Sequence, residues 1–206
     1  MTTSPTAHDY TWFRERFPDL AEAYCVTLVE GLSPREALLR LGVNSEIRVL
    51  WGVRALCEAA FGDWELWDGV RAFVSAAAVG NWALVIEPNG FLAAVEQGQE
   101  KLSRGTRQIT CFKGVSGNEH FSWVEDGEAL LEFDLLTPGE RFGREADKAA
   151  GQIRAAGFDL RDVEEPDDAL YEEAAFALAE RLTGVPLDAD LLDGASYLCG
   201  MAPELP

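Results

Sequence analysis

The chain reads as an α+β protein. Helices come first, then an antiparallel β-sheet of about five strands over residues 70–137, then helices again. Three observations predict this. Apolar positions recur three and four apart before residue 70. Between 70 and 137, short segments rich in β-branched and aromatic residues alternate with turn chemistry. After Pro138 the helical period returns, with glycine stops.

Residues 1–10, "MTTSPTAHDY", make a polar start expected to be loose, with one domain over 11–206. From Trp12 to Gly31, Phe13, Phe17, Leu20, Ala23, Tyr24, Thr27 and Leu28 follow helical spacing, and Pro18 opens a second helix. "LSPREALLRLGV" supplies Ser33 as N-cap, Pro34 at the first helical position, Glu36 to complete a capping box, and Gly42 as stop. A helix-turn-helix for DNA needs several base and phosphate donors on its reading helix. This one offers only Arg35 and Arg40, so two packed helices are the better reading. "SEIRVLWGVRALCEAAFG" reads as a further helix, with a strand beginning near Ile47 as the alternative because Val49 and Val53 dilute the period. "DWELWDGVR" is ambiguous: Trp64 and Trp67 lie three apart, a spacing that could place them on one helical face, while Asp68-Gly69 marks a turn.

The strand candidates are "VRAFVSAAAV", "NWALVIE", "TRQITCF", "HFSWVEDG" and "ALLEFDLL". Their punctuation is Gly80-Asn81, Pro88-Asn89-Gly90, "KGVSGNE" and Asp126-Gly127. Connections this short favour antiparallel pairing, since a parallel crossover needs a dozen residues or more. One helical insertion interrupts, "AAVEQGQEKLSRG". Three closing helices are expected. The first is "READKAAGQIRAAG"; the second, "EPDDALYEEAAFALAERLTG", opens with Pro166-Asp167-Asp168; the last is "DADLLDGASYLCG".

Charge narrows the function class. The chain carries 36 acidic and 17 basic residues, net −19. Residues 1–118 hold net −3 and residues 119–206 net −16. Such a field repels phosphate backbones, so direct nucleic-acid binding is not expected, and a protein partner with a basic surface is. Cys25, Cys57, Cys111 and Cys199 have no metal-knuckle or redox spacing and sit among apolar neighbours, as reduced thiols of a cytoplasmic protein would. No apolar run approaches the roughly 20 residues of a membrane span. Membrane association and cofactors are not expected.

The chemistry candidates are few. Glu87 ends "NWALVIE" before Pro-Asn-Gly, where proline and turn residues explain the local pattern as a hairpin. A catalytic role for Glu87 needs a second carboxylate, with Glu125 and Asp126 of "WVEDG" the nearest motif-like ones. Cys111 with His120 across the "KGVSG" turn is the other arrangement, with Lys113 alone to activate the thiol. Both remain a hydrolase-like alternative to the leading expectation, which assigns no catalytic or metal residues. That leading expectation is a non-catalytic, acidic binding module of immunity, antitoxin or regulatory type. Trp82, Glu87, Asn89, Trp123, Glu125 and Asp126 are its candidate partner-binding residues.

Four stretches carry a family resemblance: "GLSPREALLRLG", "GNWALVIEPNGF", "KLSRGTRQITCFKGVSGNEHFSWVEDGE" and "FALAERLTGVPLDADLLDGASYLCG". Through them the chain resembles an uncharacterised actinobacterial family known only as a domain of unknown function. The resemblance implies one domain and brings no activity, cofactor or site residue.

Overall fold

The computed structural model describes residues 4–67, 71–161 and 170–203. The Asp68-Gly69 turn, the Pro166-Asp167-Asp168 helix start and the side chains of Trp64 and Trp67 lie outside the described residues. A 3-10 turn (Ala7–Tyr10) leads into α1 (Trp12–Arg16) and α2 (Pro18–Glu22), followed by β1 (Tyr24–Glu30), α3 (Pro34–Arg40), β2 (Arg48–Trp51) and α4 (Gly52–Trp67). Then come β3 (Arg71–Val79), β4 (Trp82–Pro88), α5 (Glu96–Ser103), β5 (Arg107–Lys113), β6 (Glu119–Glu125) and β7 (Glu128–Asp134). The chain closes with α6 (Ala146–Ala156), α7 (Tyr171–Thr183), α8 (Ala189–Gly194) and β8 (Ser196–Pro203). The N-terminal turn is tied down: Ala7 and Tyr10 are buried, and the Tyr10 hydroxyl donates to Glu180 Oε2 at 2.7 Å.

The α+β class holds, but the sheet has eight strands in the order β2-β8-β3-β4-β1-β5-β6-β7, not about five. The five expected strands are β3 to β7. The three additions come from stretches read as helical, and each has a physical reason. β1 is central, paired with β4 on one side and β5 on the other, and buried on both faces. Burial on both faces removes the alternation that marks a half-buried strand, leaving an apolar run that also fits a helical count. β2 occupies the alternative strand position near Ile47, and α4 begins only at Gly52. The last expected helix stops at Gly194, and Ser196 onward pairs with both β2 and β3. Gly200 marks that strand: a Cβ there would lie 2.7 Å from Val43 Cγ1, so only glycine fits the crossing.

Helix boundaries follow local chemistry. Ser33 caps α3 reciprocally, its Oγ accepting the Glu36 N–H at 3.2 Å while Glu36 Oε2 accepts the Ser33 N–H at 2.9 Å. Gly184, left-handed at φ 73°, ends α7.

Each face of the sheet has its own core. One face packs Tyr24, Leu28, Cys111, Phe121 and Phe133 against the N-terminal helices, α4, α6 and α7. The other packs Cys25, Val29, Val74 and Val85 against α3 and α5. Each large side chain buried this fully contributes roughly 1.5–3 kcal/mol.

The strand order also positions the site. β4 and β5 both run antiparallel to β1, so they run parallel to each other, with α5 as the crossover between them. The helical insertion is that crossover, long enough for the purpose.

Candidate functional site

The carboxyl ends of β4 and β5 lie at one end of the sheet, with the amino end of β1 between them. The chain leaves β4 across the α5 face, whereas β5 turns straight into β6. Connections that diverge in this way open a crevice at the carboxyl ends of parallel strands.

Glu87 organises the first wall. It is 0% exposed. The Leu92 N–H donates to its Oε2 at 2.8 Å and the Ala93 N–H to its Oε1 at 2.9 Å. Pro-Asn-Gly is therefore the start of a loop that folds back onto its own carboxylate. Asn89 takes φ 53° and its N–H donates to the Ala23 carbonyl at 2.9 Å. Gly90 passes so close that a Cβ would lie 2.7 Å from Glu87 Cβ. Burial pushes the Glu87 carboxyl up to about 7, against the opposing pull of the Ala93 and Leu92 amides and the Cys25 thiol. The fold of this loop leaves Phe91 on the rim, 53% exposed.

The second wall is the β5–β6 hairpin. Its 114–118 turn is closed by the Gly114 N–H donating to the Asn118 carbonyl at 2.9 Å, and it carries Val115 at 76% exposed. Between the walls lies a groove of about 650 Å³, reached by Asn89, Phe112, Lys113, Glu119, His120 and Asp134. That volume falls within the roughly 300–1,000 Å³ of small-ligand sites. His120 also lines a second hollow of about 380 Å³ beside Gln99 and Glu132. Burial holds the His120 imidazole below its usual pKa, with Glu132 and Asp134 opposing. Glu119 is raised, first by burial and then by the Glu172 charge, with Lys113 and Arg14 opposing.

Behind the groove, at the start of α7, sits a charged cluster. Lys113 Nζ lies 2.7 Å from Glu172 Oε1, and Arg14 reaches Glu172 at 2.8 Å and Glu173 at 3.0 Å. Glu172 and Glu173 are buried, and burial raises the Glu173 carboxyl. Each leaves its Oε2 without a hydrogen bond among the described residues, as does the buried Tyr24 hydroxyl. Lys113 thus bridges the cluster and the groove, pairing with Glu172 at 2.7 Å and reaching the groove carboxylate Glu119 at 3.9 Å.

The two expected reactive pairs do not form. Glu87 and Glu125 stand at opposite ends of the sheet, since Phe112, beside Glu87's partner Cys25, faces His120 near the start of β6, and Glu125 ends that strand. Cys111 pairs with Phe121 and His120 with Phe112, so Cys111 and His120 point to opposite faces. Burial raises the Cys111 thiol well above its usual range. Trp82 is buried with the Arg107 guanidinium 5.3 Å above its ring, and Trp123 is half-buried with its indole N–H unpaired among the described residues. Glu125 and Asp126 are exposed at the far end. There Glu125 meets Arg144 at 3.4 Å and Asp126 Oδ1 accepts the Gly105 N–H at 2.8 Å. Of the candidate partner-binding residues, only Asn89 lines the groove, while Glu87 braces its wall from within; His120, from the alternative reactive pair, lines it too. Among the described residues no three His, Cys, Asp or Glu side chains are grouped to hold a metal, and no helix is long and apolar enough to cross a membrane.

The groove residues not singled out from sequence include Phe91, Val115, Glu119 and Asp134. Two carried a signal. Phe91 stands directly after a turn, and Val115 sits at a glycine-flanked hairpin tip, where an apolar residue has no core to join. Among the described residues the exposed tryptophan is Trp51, 68% exposed on edge strand β2.

No curated protein and no solved structure matches the chain. A family model does, over residues 3–206. The chain belongs to the family of unknown function DUF6461.

Proposed function

We propose that the chain is a non-catalytic binding protein that recognises a protein partner with a basic surface, in an immunity, antitoxin or regulatory role. One observation carries the reading. The sheet-end groove combines two exposed apolar rim residues, Phe91 and Val115, with the carboxylates Glu119 and Asp134, in a chain of net −19. Apolar anchors inside a field of one sign give fast, salt-sensitive encounter and then slow release. The same field disfavours nucleic acid, whose capture requires counterion displacement by Lys and Arg. Support also comes from the separation of Glu87 from Glu125 and of Cys111 from His120, because acid-base or nucleophilic catalysis requires convergence. Immobilised chain exposed to lysate at low and moderate salt tests the reading. Retention of a basic protein that elutes as salt rises is the expected result; failure to retain any salt-sensitive basic protein counts against it.

A further inference from the structure

We infer that β2 is a pairing edge for a second copy of this chain, the two β2 strands meeting antiparallel about a two-fold axis at Leu50. This goes beyond the reading of the chain as a binder of basic proteins and is independent of it.

The two edges of the sheet differ. The chain itself covers the β7 edge: Glu132 exchanges backbone hydrogen bonds with Phe142 at 2.9 and 2.8 Å, and the Ala129 and Leu130 carbonyls accept the Arg144 and Glu145 N–H groups at 3.3 and 2.8 Å. The β2 edge has no partner strand among the described residues. An open edge is ordinarily blunted by charge, proline, a bulge or shortness. β2 has only the last, at four residues, and Asp63 engages its one charged side chain, Arg48. Its other outward side chains are Val49 and Trp51, 54% and 68% exposed. Val49 is cross-strand to Leu198, so these two continue the apolar α3 face of the sheet.

Register identifies the open backbone groups. The Gly52 N–H donates to the Ala195 carbonyl at 3.1 Å, and in an antiparallel ladder bonded pairs alternate with unbonded ones. Gly52, Leu50 and Arg48 therefore turn their backbone groups toward β8, and Val49 and Trp51 turn theirs outward. Setting Val49 opposite Trp51 of the second copy pairs all of these outward groups, because the two-fold axis repeats each bond. The same register lays Val49 beside Trp51 of the other copy on one face, an aromatic–β-branched pair of the kind that stabilises sheets. On the other face the two Leu50 side chains meet. Isologous contacts require this self-complementarity. Charge permits it as well. Residues 44–58 balance Glu46 and Glu58 against Arg48 and Arg54, while the acid-rich β6 and β7 lie at the opposite edge.

The test is sedimentation velocity of the full-length chain over a concentration series, alongside Trp51→Ser and Val49→Lys. The chain is expected to pass from monomer to dimer with a midpoint of about 10–100 μM, as a small interface gives. Each substitution should weaken association about tenfold while leaving the unfolding midpoint of the monomer unchanged. Rising salt should tighten association by screening two chains of net −19 from each other, the reverse of its effect on capture of a basic protein. Mild oxidation checks the register. Leu50→Cys should form a disulfide-linked dimer, since unbonded antiparallel partners approach closely at their Cα atoms. Val115→Cys, more exposed but on the β5–β6 hairpin, should stay monomeric, and the four native cysteines are buried. A chain monomeric across the whole series overturns the proposal. So does a dimer indifferent to both substitutions, a dimer that dissociates as salt rises, or linkage at Val115→Cys as fast as at Leu50→Cys.

Discussion

Two carboxylates at opposite ends of one sheet, Glu87 and Glu125, look alike in the sequence. Each ends a strand, and each precedes turn residues. In the fold they have opposite physics. Glu87 is wholly buried, takes two backbone amides and is pushed up to about 7. Glu125 is exposed and meets Arg144 at 3.4 Å across solvent. The difference arises from the connection that leaves each strand. After β4 the chain must cross β1 to reach β5, and the long return folds over Glu87. After β6 a two-residue turn suffices, and Glu125 stays exposed. A carboxylate is thus made structural by the connection above it, and the same connection builds the groove wall.

Substitution and pH put this contrast to measurement. The largest expected effect is Glu87→Ala, which strands two buried amides and leaves a void; chemical denaturation should show a loss of roughly 3 kcal/mol. Next is pH. The Glu87 folded pKa lies above its unfolded value, so the folded state holds the extra proton between about pH 4.5 and 7. Its contribution is greatest at the acid end of that window, falls as pH rises through it, and is flat above about 7. Relative to Glu87→Gln, the wild-type chain should lose about 3 kcal/mol across the window. Gly90→Ala comes third, at roughly 1–3 kcal/mol, because its Cβ would press on Glu87 Cβ at 2.7 Å. Smallest is Glu125→Ala, within about 0.5 kcal/mol, as expected of an exposed ion pair. A cost for Glu125→Ala comparable to that of Glu87→Ala would erase the distinction.

Legibility divides along the same line. The five hairpin-punctuated strands and the α3 capping box were readable because turn and cap chemistry is local. β1 was not: a strand buried on both faces carries no alternation, and its place between β4 and β5 depends on residues more than 50 positions away. Without β1 the α5 segment reads as an interruption of a meander, and no crevice results. The meaning of Glu87 was lost for the same reason. Pro-Asn-Gly explains a turn, but the amides that claim its carboxylate belong to residues 92 and 93, and that return is set by the crossover. The buried Trp82 and the exposed Trp51 teach the complementary lesson. Both are tryptophans in strands, and only position in the strand order, central or edge, separates them.

Retention of a basic partner by rim variants is the decisive measurement for the groove as a docking site. Capture by the immobilised chain is compared with capture by a chain carrying Phe91→Ser and Val115→Ser, two exposed rim positions outside the core. The double variant is expected to hold the partner about tenfold more weakly at the same salt. Equal capture by both chains would contradict this role.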